Sequence, residues 1–551
     1  MENSFLSLIE QSFKNNWDLP ALSDYHGATF LYKDVARRIA KIHILFDECG
    51  LKKGDKVAIC GRNHANWGIV FFATLTYGAV AVPILHEFKA DNIHHIVNHS
   101  EARILFVGEI VWESINEREM PGLEAIIVTS DFSIVHCRRS SIHAARERLN
   151  ELFGKKYPKH FRPEHIAYHH DEPEELAIIN YTSGTTGFSK GVMLPYRCLH
   201  SNLLFAFEVL PQIKAGSTVV AMLPMAHTYG MAFEFIFEMA RGCHIHFLTR
   251  VPTPKIIMDA FAEIKPGIII SVPLIIEKIY KKQLQPILQK TSIKMLLKLP
   301  VIDQKIKKKI LASLNKVFGD NFIEIIIGGA SFNHEAEAFF KKIGFRYTVG
   351  YGMTECGPII TYEDWSRVPL FSCGKAAPRM QVKIDSPDPE HIPGEILVKG
   401  TNVMLGYYRN EQATKDAFTE DGWMKTGDLA VMDANGYVYI KGRSKNMILG
   451  ASGQNIYPEE LEEVINNMPY VGESLVIEKG GKLVALIYPD YEQATMNNIA
   501  VSDLPHIMEE IRVKVNEELP AYAQIAAVQL FPEEFEKTPK RSIKRFMYQN
   551  V

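Results

Sequence analysis

The chain has 551 residues, 47% hydrophobic and 23% charged, a length beyond what one core usually supports and a balance that fits a folded globular protein of two or more domains. A formal net charge of −3 gives no global pull toward nucleic acid or anionic lipid. Seven cysteines, an odd number with no CxxC spacing, argue against a disulfide framework and read as reduced thiols of a cytoplasmic protein.

Met1, Glu2, Asn3 and Ser4 lack the basic-then-apolar order of a signal peptide. Segment 56–60 reads as a buried strand. Residues 67–85 carry no charge, but Gly68, Thr74, Thr76, Gly78 and Pro83 break them up. They read as a helix to about Thr76, ended by Gly78, and a strand over 79–82, and not as a transmembrane span. His95 and His99 have helical spacing, yet no Glu follows His95, so a zinc-protease site is not supported. A second strand is expected at 103–107 and a third at 176–179.

The stretch 181–194 is the most informative in the chain. Six of the seven residues from Tyr181 to Gly187 are Gly, Ser or Thr, and Lys190 follows. Such a loop after a buried strand can turn tightly and aim N–H groups, hydroxyls and an ammonium at one point, which suits a polyphosphate. The spacing is not that of a Walker A loop, because no Gly directly precedes Lys190 and no Ser or Thr directly follows it.

Further strands are expected at 218–222, 268–272 and 322–327, alternating with amphipathic segments, which argues for α/β architecture with largely parallel sheets. Between them 231–237 is aromatic and apolar, and two readings stay open: a lining for an alkyl chain, or a buried helix face. His244 and His246 alternate along one face of a strand and read as structural. The lysine-rich segment 281–316 reads as a solvated helix face, with a dock for anionic lipid or for the phosphates of a cofactor as the alternative. From 382 to 441 strands become short and Gly-punctuated, as in an antiparallel, barrel-like subdomain. Beyond Arg443 come a Gly-containing loop, an acidic helix start at 458–464 and two strands joined by a Lys479-Gly480-Gly481-Lys482 hairpin turn, the marks of a small α+β domain.

Four further segments fit the loop at 181–194: Gly328-Gly329-Ala330-Ser331 after a buried strand, Tyr351-Gly352-Met353-Thr354-Glu355, Gly-Trp-Met-Lys-Thr-Gly-Asp-Leu at 422–429, and Lys-Gly-Arg-Ser-Lys at 441–445. Together and in this order they resemble the adenylate-forming superfamily of acyl-CoA synthetases, luciferases and peptide-synthetase adenylation domains, over nearly the whole chain. The wording of 399–408 looks most like bacterial fatty acyl-CoA synthetases. The resemblance implies a large N-terminal domain, 1–444, of two parallel-type α/β subdomains plus a barrel-like part at about 375–444, followed by a mobile α+β cap, 445–551.

It also implies a reaction in two halves, an acyl-adenylate formed from ATP with release of pyrophosphate and then acyl transfer to coenzyme A. Thr182, Ser183, Gly184, Thr185, Thr186 and Lys190 match the family's phosphate loop, and Glu355, with Thr185, its magnesium site. Gly329, Ala330, Ser331, Tyr351, Gly352, Met353 and Thr354 match the adenine pocket, and Asp428, Ile440 and Arg443 the ribose and phosphate neighbours. His227 and Tyr229 match the border of the acyl pocket, Lys445 the hinge, and Gly450, Ser452 and Gly453 the loop brought in on the coenzyme A side. Thr228 stands where amino-acid-activating members place an Asp, which disfavours an α-amino acid and leaves a medium- or long-chain fatty acid as the expected substrate. Transfer to a carrier protein, or activation of an aryl or short-chain acid, are the alternatives. No nucleic-acid partner is expected, and oligomeric state is not legible.

One departure stands out. Aligned without a gap through Thr538, Ile543 and Arg545, the chain has Ser542 where the family carries its catalytic lysine. Three readings stay open: Lys540 or Lys544 supplies the charge, with Lys544 chosen as the catalytic candidate; adenylation is slow; or the chain binds nucleotide or acyl-adenylate without useful catalysis.

Overall fold

The computed structural model describes residues 4–182, 189–250, 252–280, 300–449, 454–538 and 543–549. Its largest sheet has eight strands in the order Gly406–Tyr407, Lys190–Pro195, Leu176–Thr182, Val80–Ile84, Lys56–Cys60, Ala102–Val107, Ala125–Val128 and Ile134–Cys137. The five from Leu176–Thr182 to Ala125–Val128 run parallel, and antiparallel neighbours close both margins. Strands buried on both faces need unbroken apolar runs, and Val80–Ile84 is buried at all five positions.

A second sheet sets Thr218–Ala221, His244–Phe247 and Pro20–Asp24 parallel, with Thr29–Leu31 antiparallel at the edge. A third places Ile269–Ser271, Ile325–Ile327 and Tyr347–Val349 side by side in parallel. The mixed α/β body therefore has largely parallel sheets. Met380–Asp385, Gly394–Gly400, Met424–Met432 and Val438–Arg443 then form a four-stranded antiparallel sheet.

The uncharged stretch 67–85 becomes the helix Ala65–Tyr77, buried almost all round, followed by Val80–Ile84. Gly78 ends the helix at φ 82°, and its N–H bonds to the Thr74 and Leu75 carbonyls. No helix among the described residues is long and apolar enough to cross a membrane. Segment 231–237 lies inside the helical run 228–241, whose middle, Ala232–Ile236, is a π-turn.

The last part of the chain has its own core. Ile456, Leu461, Ile465, Val476, Ile487, Met508 and Ile525 belong to a cluster separate from the one that runs through the rest of the molecule. Strands Val471–Lys479 and Lys482–Pro489 pair antiparallel, and Ile525–Leu530 adds parallel to the second. The acidic start becomes the helix Pro458–Asn466.

Candidate active site

Loops at the carboxyl ends of parallel strands converge on one cleft of about 1810 Å³, where open α/β sheets usually place their ligands. Thr182 and Lys190 reach it from the two strands that flank the Gly/Ser/Thr loop, and they sit opposite each other in the ladder. Gly329, Ala330 and Ser331 follow the buried strand Ile325–Ile327, and Tyr351, Gly352, Met353, Thr354 and Glu355 follow Tyr347–Val349. Asp428, Ile440 and Arg443 approach from the antiparallel sheet, Lys445 from just past it, His227 from the turn before the helical run 228–241 and Tyr229 from the first turn of that run. Lys544 lines the same cleft from the C-terminal tail. Ser183, Gly184, Thr185, Thr186, Gly450, Ser452, Gly453, Lys540 and Ser542 lie outside the described residues.

The polar groups are held by neighbours. Tyr351 Oη donates to Asp428 Oδ2 at 2.6 Å, and Arg443 Nε stands 3.4 Å from Oδ1. Burial raises the Asp428 carboxyl above the ordinary Asp value, and the Arg443 guanidinium opposes that shift. Glu355 sits on a tight turn, Thr354–Cys356, and its carboxylate accepts from Tyr407 Oη at 2.9 Å. Lys190 Nζ lies 4.7 Å from the centre of the same tyrosine ring. Gly329 adopts φ 90°, open to glycine at no steric cost, and a Cβ on Gly328 would lie 3.2 Å from the Tyr229 ring.

Tyr229 is largely buried and donates its hydroxyl to the Ile326 carbonyl at 3.0 Å. His227 precedes the short helix Thr228–Met231, and its Nδ1 accepts from the Tyr229 N–H at 3.2 Å. Three side chains that the sequence did not single out fix the turn leading to it. Glu234 Oε2 accepts from the Met222 and Leu223 N–H groups at 3.0 and 2.7 Å. Asn63 bridges the Leu223 carbonyl and the Met225 N–H, and Asn180 donates to the Ala226 carbonyl.

The side chains of 231–237 divide between the cleft and the core. Phe233 faces the cleft, where Phe205, Leu210, Ile359 and Tyr362 complete an apolar end. The Phe205 ring packs edge-on against Phe233 at 5.9 Å and Tyr362 at 5.3 Å. Phe235 points the other way, into Phe71, Phe72 and Trp67.

The histidine pairs are engaged elsewhere. His99 Nδ1 and the Tyr181 hydroxyl are hydrogen-bonded at 2.7 Å, as are His244 Nε2 and the Ser23 hydroxyl. In the tail, Lys544 Nζ is paired with Glu536 and holds its carboxylate below the ordinary Glu range, with Lys89 adding to the effect. Arg545 donates to Glu462, which also accepts from the Val476 N–H at 2.6 Å.

Residues 9–408 match the AMP-binding enzyme family. The long-chain-fatty-acid–CoA ligase FadD15 of Mycobacterium bovis is 28% identical over 541 residues, covering 90% of this chain and 86% of that protein. The probable 4-coumarate–CoA ligase 1 of Dictyostelium discoideum is 29% identical over 80% of this chain and 77% of its own length. Among solved structures, the anthranilate CoA ligase AuaEII in complex with anthranoyl-AMP superposes with a TM-score of 0.80 at 19% identity, covering 99% of this chain and 96% of that one. The o-succinylbenzoate coenzyme A synthetase MenE from Bacillus subtilis, in complex with ATP and magnesium ion, gives a TM-score of 0.75 at 20% identity over 99% of both chains. At that identity the two structures establish a shared fold.

Proposed function

The chain belongs to the AMP-binding enzyme family, and on that footing we propose that it joins a medium- or long-chain fatty acid to AMP and then passes the acyl group to coenzyme A. It is an acid–thiol ligase of the adenylate-forming kind. The observation that carries the finer reading is one cleft with Lys190 and Glu355 at a phosphate end, Asp428 and Arg443 beside them, and Phe205, Leu210 and Phe233 at an apolar end.

In this reading Thr182, Ser183, Gly184, Thr185, Thr186 and Lys190 cradle the triphosphate, and Gly329, Ala330, Ser331, Tyr351, Gly352, Met353 and Thr354 enclose the adenine. Asp428 accepts from the ribose hydroxyls, kept in place by the Tyr351 hydroxyl, beside Ile440 and Arg443. The donor at the phosphate end fits magnesium, since Glu355 offers a carboxylate oxygen beyond the one bonded to Tyr407; by the family match Thr185 would add a hydroxyl. A bound magnesium ion would spread the charge of the leaving pyrophosphate. The fatty carboxylate, held near His227 and Tyr229 with its tail among Phe205, Leu210 and Phe233, attacks the α-phosphorus, and the bond to the β-phosphate oxygen breaks. A coenzyme A thiolate then attacks the acyl carbon and AMP leaves.

The attack brings a carboxylate against a phosphate, so a cation there matters. Losing one preorganised charge-assisted contact costs ~3–4 kcal/mol, or ~10²–10³ in rate. Ser542 supplies no charge, and Lys544, lining the cleft, is the substitute we assign.

The test is exchange of labelled pyrophosphate into ATP, dependent on magnesium and a carboxylate, across a panel of acids. Dodecanoate or hexadecanoate should drive it best. An aryl acid driving it best would favour the second reading, which the 4-coumarate–CoA ligase likeness supports, and no exchange with any acid would leave a binding protein. Lys544→Ala should lower exchange ~10²-fold and Ser542→Lys should restore it in that background. Parallel assays with coenzyme A and holo carrier protein separate the acceptors.

A further inference from the structure

We propose that Tyr407 is the positioning residue of the phosphate end: its hydroxyl fixes the Glu355 carboxylate for a divalent cation while its ring holds the Lys190 ammonium beside it. The inference rests on the reading of the cleft as a nucleotide site. Tyr407 belongs to a two-residue strand, Gly406–Tyr407, paired antiparallel with Met193 and Val192 on the strand that begins at Lys190. The backbone around it is hydrogen-bonded to the segments that carry both charged groups. The Met404 N–H donates to the Glu355 carbonyl at 2.8 Å, and the Tyr408 N–H donates to the Gly191 carbonyl at 2.7 Å. The Tyr407 N–H is itself bound by Thr414 Oγ1 at 2.9 Å. This short strand therefore ties the turn carrying Glu355 to the strand carrying Lys190.

The side chain does the same for the functional groups. Its hydroxyl donates to Glu355 Oε1 at 2.9 Å and leaves Oε2 for a ligand, while the ring face takes the Lys190 ammonium at 4.7 Å. Carboxylates that hold metal ions are commonly oriented by such outer hydrogen bonds. The neighbouring Tyr408, just past the strand, engages a different group and donates to Glu101 at 3.0 Å. The Tyr-Tyr pair thus contains one residue for the site and a built-in control.

Calorimetric titration of the full-length protein with ATP, without magnesium and over a magnesium series, tests this. Tyr407→Phe keeps the ring, so magnesium-free ATP affinity should stay within about twofold while the magnesium midpoint rises about 10-fold. Tyr407→Leu should also weaken magnesium-free ATP binding, because Lys190 loses its seat. Tyr408→Phe should match the parent in both. In a Glu355→Gln background, Tyr407→Phe should shift the magnesium midpoint no further, a cycle that keeps its meaning even if one variant is less stable. A parent-like magnesium midpoint for Tyr407→Phe, or an additive shift in the Glu355→Gln background, overturns the inference alone. A parent that binds no ATP overturns the nucleotide reading and this inference with it.

Discussion

Glu234 and Glu238 sit four residues apart in the buried part of a helical run, and the structure uses their carboxyls differently. Glu234 caps the Met222 and Leu223 amides and so holds the turn before His227. Both carboxyl oxygens of Glu238 lack a hydrogen-bond partner among the described residues. Burial therefore pushes its pKa from the ordinary 4.5 up to about 8. A raised acid contributes stability that is fully present below pH 4.5 and is lost as pH rises through about 8. Glu238→Met, similar in volume and without a charge to bury, should melt progressively higher than the parent as pH goes from 5 to 9. Scanning calorimetry of both proteins across that range checks it, and an offset that does not change with pH refutes it. Residues of this scale divide cleanly in legibility. Lys190, Glu355, Asp428 and Arg443 stand just after strands or inside Gly-rich runs, so local pattern marks them. Glu234, Asn63, Asn180 and Tyr407 act on groups as much as 162 residues away in the chain, and no local pattern encodes such a partner.

Elements were more legible than their arrangement. Uncharged or β-branched runs bounded by Gly became strands, and the Lys479-Gly480-Gly481-Lys482 turn formed where a hairpin was expected, with φ 60° and 75° at its two glycines. Alternation of apolar runs with amphipathic segments announces parallel sheets, but it does not announce their order, nor that a two-residue strand at Gly406–Tyr407 would join the largest sheet. The strand expected at 322–327 forms over Ile325–Ile327, and just before it the buried Glu324 carboxyl accepts from the Tyr362 hydroxyl on a different sheet. The hairpin offers a clean test of backbone strain. A Cβ at Gly480 or Gly481 would meet nothing within 4 Å, so Ala there costs only the left-handed conformation, ~1–2 kcal/mol per residue. Gly480→Ala/Gly481→Ala should therefore speed amide hydrogen exchange in Val471–Lys479 and Lys482–Pro489 by ~10-fold or more, with the N-terminal sheets unaffected. Unchanged exchange in those two strands counts against it.

At the scale of the molecule, the C-terminal unit has its own hydrophobic cluster and meets the rest through polar contacts. Asn333 donates to Asn467, the His334 N–H and ring engage Glu463, and Lys441 Nζ lies 3.2 Å from Glu460. Polar interfaces of this kind permit relative motion by default. In the arrangement seen here the tail residues Glu536 and Lys544 line the cleft, whereas Gln454 and Asn455, beside the loop assigned to the coenzyme A side, are exposed. If the tail serves adenylation and that loop serves thioester formation, the unit must swing about Lys445 between the two halves. A staple tests this. Asn333→Cys/Asn467→Cys in a Cys137→Ser background, joined by a short bis-maleimide, fixes the observed arrangement, the other native cysteines being buried. Pyrophosphate exchange in the stapled protein should stay within a few-fold of the same variant without linker. Thioester formation should fall at least ~10-fold, since the motion that would present 450–455 to the cleft is blocked. Thioester formation at the unlinked rate would mean that both half-reactions run in this one arrangement, and the swing would be discarded.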